Sequence, residues 1–190
     1  MDSNEVNEPY VPYGRPATFE QVWRMFQETD ERFKETDKRF KETDKEIKEL
    51  SRLFTTQWGK LVESLVEGDL IKLLRERGIK VDSTIQRRKG NLNGENFEFD
   101  IIAINGDEIV IVEVKTTLRV EDINYFHRKL WKSKDFMPEY KERKIYGAVA
   151  FITAEGAADR MAEKIGMFVI KATGNSSSII NKSGFKPKIF

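Results

Sequence analysis

A chain of 190 residues makes one ordinary domain plus an appendage, and 39% hydrophobic against 34% charged residues points to a long exposed helix beside the globular part. The net charge of +1 leaves any nucleic-acid surface to local clustering of basic residues. The absence of cysteine and a single histidine, His127, exclude disulfides, thiolate nucleophiles and Cys/His zinc sites.

Residues 1 to 17 carry three prolines and no periodicity, which predicts a flexible arm. A helix follows over 18 to 54, with Thr18 as its cap and Gln21 completing a capping box. Here ETDERFK, ETDKRFK and ETDKEIK repeat with a period of seven. Phe26, Phe33, Phe40, Ile47 and Phe54 share heptad position a; Thr29, Thr36, Thr43 and Leu50 share position d. Such a repeat predicts a left-handed coiled coil. Asp30–Lys34, Asp37–Lys41, Asp44–Lys48, Glu28–Arg32 and Glu35–Arg39 are supporting acid-before-base pairs at i, i+4. In a parallel pair, Arg32 and Arg39 would face the partner's Asp37 and Asp44, which favours a parallel homo-oligomer. Threonine at d makes this seam half polar, so a solitary charged helix is the alternative.

Residues 55 to 77 continue as an amphipathic helix, with apolar faces supplied by Leu61, Leu65, Ile71, Leu73 and Leu74, and Gly78 stops it. Strands are expected over 79–89, 96–104 and 108–118, the first two joined by GNLNGEN and the last two by a tight NGD hairpin turn. A helix over 120–135, a strand over 144–153, a helix over 156–166 and a strand over 167–173 follow, and the basic end is tail or a last short strand. This order reads as an α/β domain over 55 to 190, with a mixed central sheet and helices on both faces. No apolar run is long enough to span a membrane and the first residues lack a signal-peptide core, so a cytoplasmic protein is expected.

Three charges interrupt the apolar strands. Alternation puts Glu113 and Lys115 on one face, and Glu98 and Asp100 on a face with Ile102 and Ile104. The NGD hairpin brings Asp100 beside Glu113. Two carboxylates that close repel unless a cation lies between them, and oxygen ligands suit Mg²⁺ or Mn²⁺. A neighbouring lysine can orient a water or stabilise charge on a phosphate. The competing view, an ordinary polar face, sits poorly with the flanking Ile101, Ile102, Ile111 and Val112, which argue for burial on both sides.

Asp100, twelve intervening residues and then Glu113-Val114-Lys115 resemble the PD-(D/E)XK nuclease signature, with Phe99 where the proline stands. The element order over 55 to 173 is similar to that family's αβββαβ core, its restriction-endonuclease-like and Holliday-junction-resolvase-like members above all. The resemblance implies metal binding by Asp100, Glu113 and the Val114 carbonyl, and a water positioned by Lys115. It also implies a further acid from the first helix, Glu67 ahead of Glu63. The implied activity is Mg²⁺- or Mn²⁺-dependent endonuclease cleavage of duplex or branched DNA by a coiled-coil-linked oligomer. The alternative is a non-catalytic nucleic-acid- or protein-binding scaffold on the same fold. Phosphate contacts would fall to the run Arg87, Arg88 and Lys89 and to Arg128, Lys129 and Lys132 of the second core helix, with Lys134 nearby and Lys182, Lys186 and Lys188 in the basic tail. His127 as a general base is set against an ordinary surface histidine.

Overall fold

The computed structural model describes Gly14 and residues 18–190; the expected arm over 1 to 17 otherwise lies outside the described residues. The chain divides into two compact units, Met1–Arg52 and Leu53–Phe190. Helix α1, Phe19–Glu76, contributes to both.

The first unit is helical throughout its described length beyond Thr18. Its start is the expected capping box: Thr18 N–H donates to Gln21 Oε1 (2.9 Å) and Gln21 N–H to Thr18 Oγ1 (3.3 Å). Four of the five anticipated ion pairs form, Asp30–Lys34, Glu35–Arg39, Asp37–Lys41 and Asp44–Lys48. Among the described residues no ion pair joins Glu28 to Arg32. Phe26, Phe33, Phe40 and Ile47 stand exposed as one apolar stripe.

In the second unit six strands form one sheet in sequential order. They are β1 (Ser83–Leu92), β2 (Glu95–Ile104), β3 (Glu108–Leu118), β4 (Lys144–Ala154), β5 (Phe168–Thr173) and β6 (Ser176–Ile179). The pairs β1/β2, β2/β3 and β5/β6 are antiparallel; β3/β4 and β4/β5 are parallel. The architecture is therefore the expected mixed α/β sheet, and the last short strand, β6, takes up Ser176–Ile179 ahead of the basic residues Lys182, Lys186 and Lys188. Helix α2 (Val120–Trp131), the short α3 (Ser133–Phe136) and a 3₁₀ turn at Pro138–Tyr140 lead into β4, and α4 (Ala158–Ile165) joins β4 to β5.

The core has two layers. On one face, Val62, Val66, Leu70 and Leu74 of α1 pack on Ile101, Val110, Val112 and Ala148. Their i, i+4 spacing forms a single stripe. This corrects the sequence reading, which placed Leu61 on the apolar face: Leu61 is exposed, and the buried stripe runs one position away. On the other face, Ile123, Phe126 and Leu130 of α2 and Ala158 and Ala162 of α4 cover Ile109, Ile111, Ile145 and Val149.

The terminators follow local chemistry. Helix α1 ends in a Schellman motif, with Gly78 at φ +85°, Ile79 N–H donating to the Leu74 carbonyl and Gly78 N–H to that of Arg75. The first hairpin departs from expectation: β1 runs through Gly90 to Leu92, and the turn is only Asn93-Gly94, both at positive φ. That is the backbone a type I′ turn demands. The NGD turn stands where expected but is closed by the Asn105 side chain, whose Oδ1 accepts from the N–H groups of Asp107 and Glu108, both at 2.7 Å.

Candidate active site

The ladder between β2 and β3 is short. It pairs Ile101–Ile104 with Ile109–Val112 and goes no further. At Val114 the backbone N–H donates instead to the Asp100 side chain, to Oδ2 at 2.7 Å. A carboxylate thus takes over where the neighbouring strand leaves off, and it lies beside Glu113 at the point where the strands part.

Asp100 also sits at a break in β1/β2. Register is continuous from Ser83–Ile104 to Leu92–Glu95 except that Arg87 and Asp100 are skipped. Arg87 is at φ +50°, uncommon for a side-chain-bearing residue. The facing pattern shifts here: Phe97 and Phe99 join the same cluster as Ile102 and Ile104, and Ile101 joins the opposite one. The expected common face of Glu98, Asp100, Ile102 and Ile104 is therefore corrected, and Glu98 is turned to the far side.

Glu113 is 6% exposed. Its carboxylate is held by two ammonium groups, Lys115 Nζ on Oε1 at 3.0 Å and Lys129 Nζ on Oε2 at 2.8 Å. Burying a carboxylate is tolerable only with such partners. Lys129 is nearly as buried and reaches in from α2, its ammonium 4.8 Å from the centre of the Phe99 ring. Asp100 is less well compensated. Burial first, then the charge of Glu113, pushes its carboxyl up to about 6, against the hydrogen bond from Val114 and the charges of Lys115 and Lys129. Burial alone would lower Lys115, but Glu113 outweighs it with its charge and hydrogen bond, helped by Asp100 and Asp122, and Lys115 ends above the ordinary lysine value. Lys115 is thus a firmly protonated donor, partly open to solvent.

Neither helix acid gathers with this pair. Glu67 accepts from Thr84 Oγ1 at 2.7 Å and from Gln86 Nε2. Glu63 takes Arg87 through Nε at 3.0 Å and a terminal nitrogen at 2.8 Å. Among the described residues no group of three or more Asp, Glu, His or Cys side chains is placed to hold a metal. The two carboxylates gathered here could serve only an ion that takes one or two carboxylates and keeps most of its waters, as Mg²⁺ does, and both oxygens of Glu113 already face ammonium groups.

The basic residues singled out in the sequence are mostly paired with acids: Arg87 with Glu63, Arg88 with Glu139, Lys89 with Glu98 and Lys132 with Glu95. Lys129, expected at a phosphate, has its ammonium on Glu113. Arg128 forms no ion pair among the described residues. The inward turn of Lys129 had one readable signal: it lies three residues after Phe126, at the edge of the apolar stripe of α2, where a lysine stem packs and its head seeks a carboxylate. His127 accepts from Trp131 Nε1 at 3.2 Å and meets Phe190 edge-on; burial and Lys188 lower its pKa.

Fold and site together define a three-layer α/β domain with an acid–lysine cluster where two central strands separate. A family model described as a domain of unknown function (DUF8196) matches residues 69–179, and the chain belongs to that family. No protein of curated function matches it. Among solved structures it is similar to a repair endonuclease from Pyrococcus abyssi, at 22% identity and TM-score 0.39, over 56% of this chain and 46% of that one. It is also similar to a protein of unknown function, AF1548, at 16% identity and TM-score 0.39, over 53% of each. A third is an EndoMS–dsDNA complex, at 17% identity and TM-score 0.34, over 61% of this chain and 46% of that one. The chain thus spans about half the length of the solved structures it matches. None of these likenesses assigns it an activity. Among the described residues no helix is long and apolar enough to cross a membrane.

Proposed function

We propose that the domain hydrolyses DNA phosphodiesters with a divalent metal, as a parallel homo-oligomer joined through residues 18 to 54. The observation that carries the reading is the juxtaposition of Asp100, Glu113 and Lys115, with the Asp100 carboxyl pushed up to about 6 by burial and by Glu113. A carboxyl so poorly neutralised gains from a cation beside it. Asp100 and Glu113, with the Val114 carbonyl, would hold Mg²⁺ or Mn²⁺. Bound there, the ion supplies an acidified water and positive charge at the phosphate. Lys115, protonated and partly exposed, donates a hydrogen bond to that water or to a phosphate oxygen and does not act as a base. Glu113 fixes the Lys115 ammonium. Glu67 braces α1 against β1 through Thr84 and Gln86, and Glu63 holds Arg87. The paired surface bases can exchange a carboxylate for a phosphate at small cost, since exposed ion pairs are weak. The exposed Phe26, Phe33, Phe40 and Ile47 stripe supports the oligomer.

One observation favours a second reading, a domain that binds without cutting: Lys129 already fills the second oxygen of Glu113. Incubating the full chain with plasmid, single-stranded and four-way-junction DNA in Mg²⁺ or Mn²⁺ separates the two. The nuclease reading expects cutting by the parent and none by Lys115→Ala. No cutting in either metal, or equal cutting by the variant, overturns it.

A further inference from the structure

Between the start of β2 and α2 lies a cavity of about 150 Å³ that shares Lys129 with the candidate site. Its apolar side is aromatic. Phe97 and Phe136 stack at 4.7 Å with 18° between their planes. Tyr125 also lines the cavity, is 57% exposed and packs on no other ring among the described residues. Its polar side includes Asn96, whose amide oxygen accepts from Asn91 Nδ2 at 2.6 Å. Two cations edge it. Arg128 has no ion pair among the described residues, and Lys132 is held by Glu95 at 2.7 and 2.8 Å, both side chains about half exposed.

Aromatic side chains, an asparagine amide and two cations around one small volume suit a flat heteroaromatic ring attached to a phosphate. The volume takes one ring system, well below the several hundred Å³ of a site for a larger organic ligand. Bases in an intact duplex are stacked and unavailable, so only an unpaired base can enter. We propose that this cavity is a subsite for one unpaired nucleobase of the DNA strand, with the base against Tyr125 and its phosphate on Arg128 and Lys132. Entry of the phosphate exchanges Glu95 for a phosphate oxygen on Lys132. Lys129 forms the wall between this subsite and Glu113, so an occupied cavity sets the neighbouring strand against the candidate site. The subsite rests on the nucleic-acid reading above and names its substrate class: bulged, flapped or single-stranded DNA.

The test measures binding of the full chain in EDTA, where metal-dependent cutting is off. Fluorescence anisotropy compares a paired duplex with the same duplex carrying a one-base bulge. The parent is expected to prefer the bulge. Tyr125→Ala is expected to weaken bulge binding about tenfold, the order of one lost base–aromatic stack, and to leave the paired duplex unchanged. Tyr125→Phe keeps the ring and is expected to bind as the parent does. Equal affinities for both DNAs in the parent, no binding of either, or a Tyr125→Ala variant indistinguishable from the parent overturns the subsite. So does a free nucleoside monophosphate that binds more tightly than the bulged strand. A Tyr125-dependent bulge preference stands even if the chain never cuts DNA. Cutting without that dependence removes the subsite and leaves the nuclease reading intact.

Discussion

Replacing Asp100 with asparagine isolates what the ionised carboxyl costs the fold. The asparagine oxygen can still accept from Val114 N–H, and the group is never charged beside Glu113. A carboxyl moved from 3.8 to about 6 in the folded state costs roughly 3 kcal/mol of stability once ionised, at about 1.4 kcal/mol for each tenfold change. The direction follows from linkage. Because the folded value is raised, the parent keeps its full stability below pH 3.8, loses it as pH rises to about 6, and is flat above. Asp100→Asn is therefore expected to match the parent near pH 3.5 and to exceed it by about 2–3 kcal/mol at pH 8. Urea unfolding followed by circular dichroism in EDTA across this range measures it. Equal stability at pH 8, or a variant weaker at every pH, refutes the claim that an uncompensated charge sits at Asp100.

Other expectations follow from single contacts. Lys129→Met leaves the buried Glu113 with one ammonium and should cost about 3 kcal/mol in urea unfolding; adding Glu113→Gln should recover part of it. Gly94→Ala meets no neighbouring atom but forces alanine to φ +86°, so a loss of about 1 kcal/mol from backbone strain alone is expected in the same assay. Phe33→Glu with Phe40→Glu should convert an oligomer to a monomer in sedimentation. A parent that already sediments as a monomer contradicts the coiled-coil assignment.

Much of the fold could be read from local pattern. Alternating apolar strands, the Asn105 turn and Gly78 each act within a few residues, and they set the order of the elements. The acid pair was legible for the same reason, because the β2–β3 hairpin fixes which residues meet. What escaped depends on tertiary geometry. The skip at Arg87 and Asp100 turns Phe99 toward α2, and nothing in NFEFDII marks it. The buried stripe of α1, Val62, Val66, Leu70 and Leu74, lies beside a second stripe of Leu61, Leu65 and Leu73 that Asp69 interrupts, and packing against the sheet decides between them. Asn93-Gly94 was within reach, but the polar residues around it resemble a longer loop. Lys129 reads as a surface cation until Glu113 is seen beneath it.

Asp100 and Glu113 are proposed to form a divalent-cation site. Calorimetric titration of Mg²⁺ and Mn²⁺ into the full chain at pH 7.5, where Asp100 is ionised, tests it most directly. One site per chain in the parent, lost in Asp100→Asn, is the predicted result. No binding by the parent, or identical binding by the two, contradicts it.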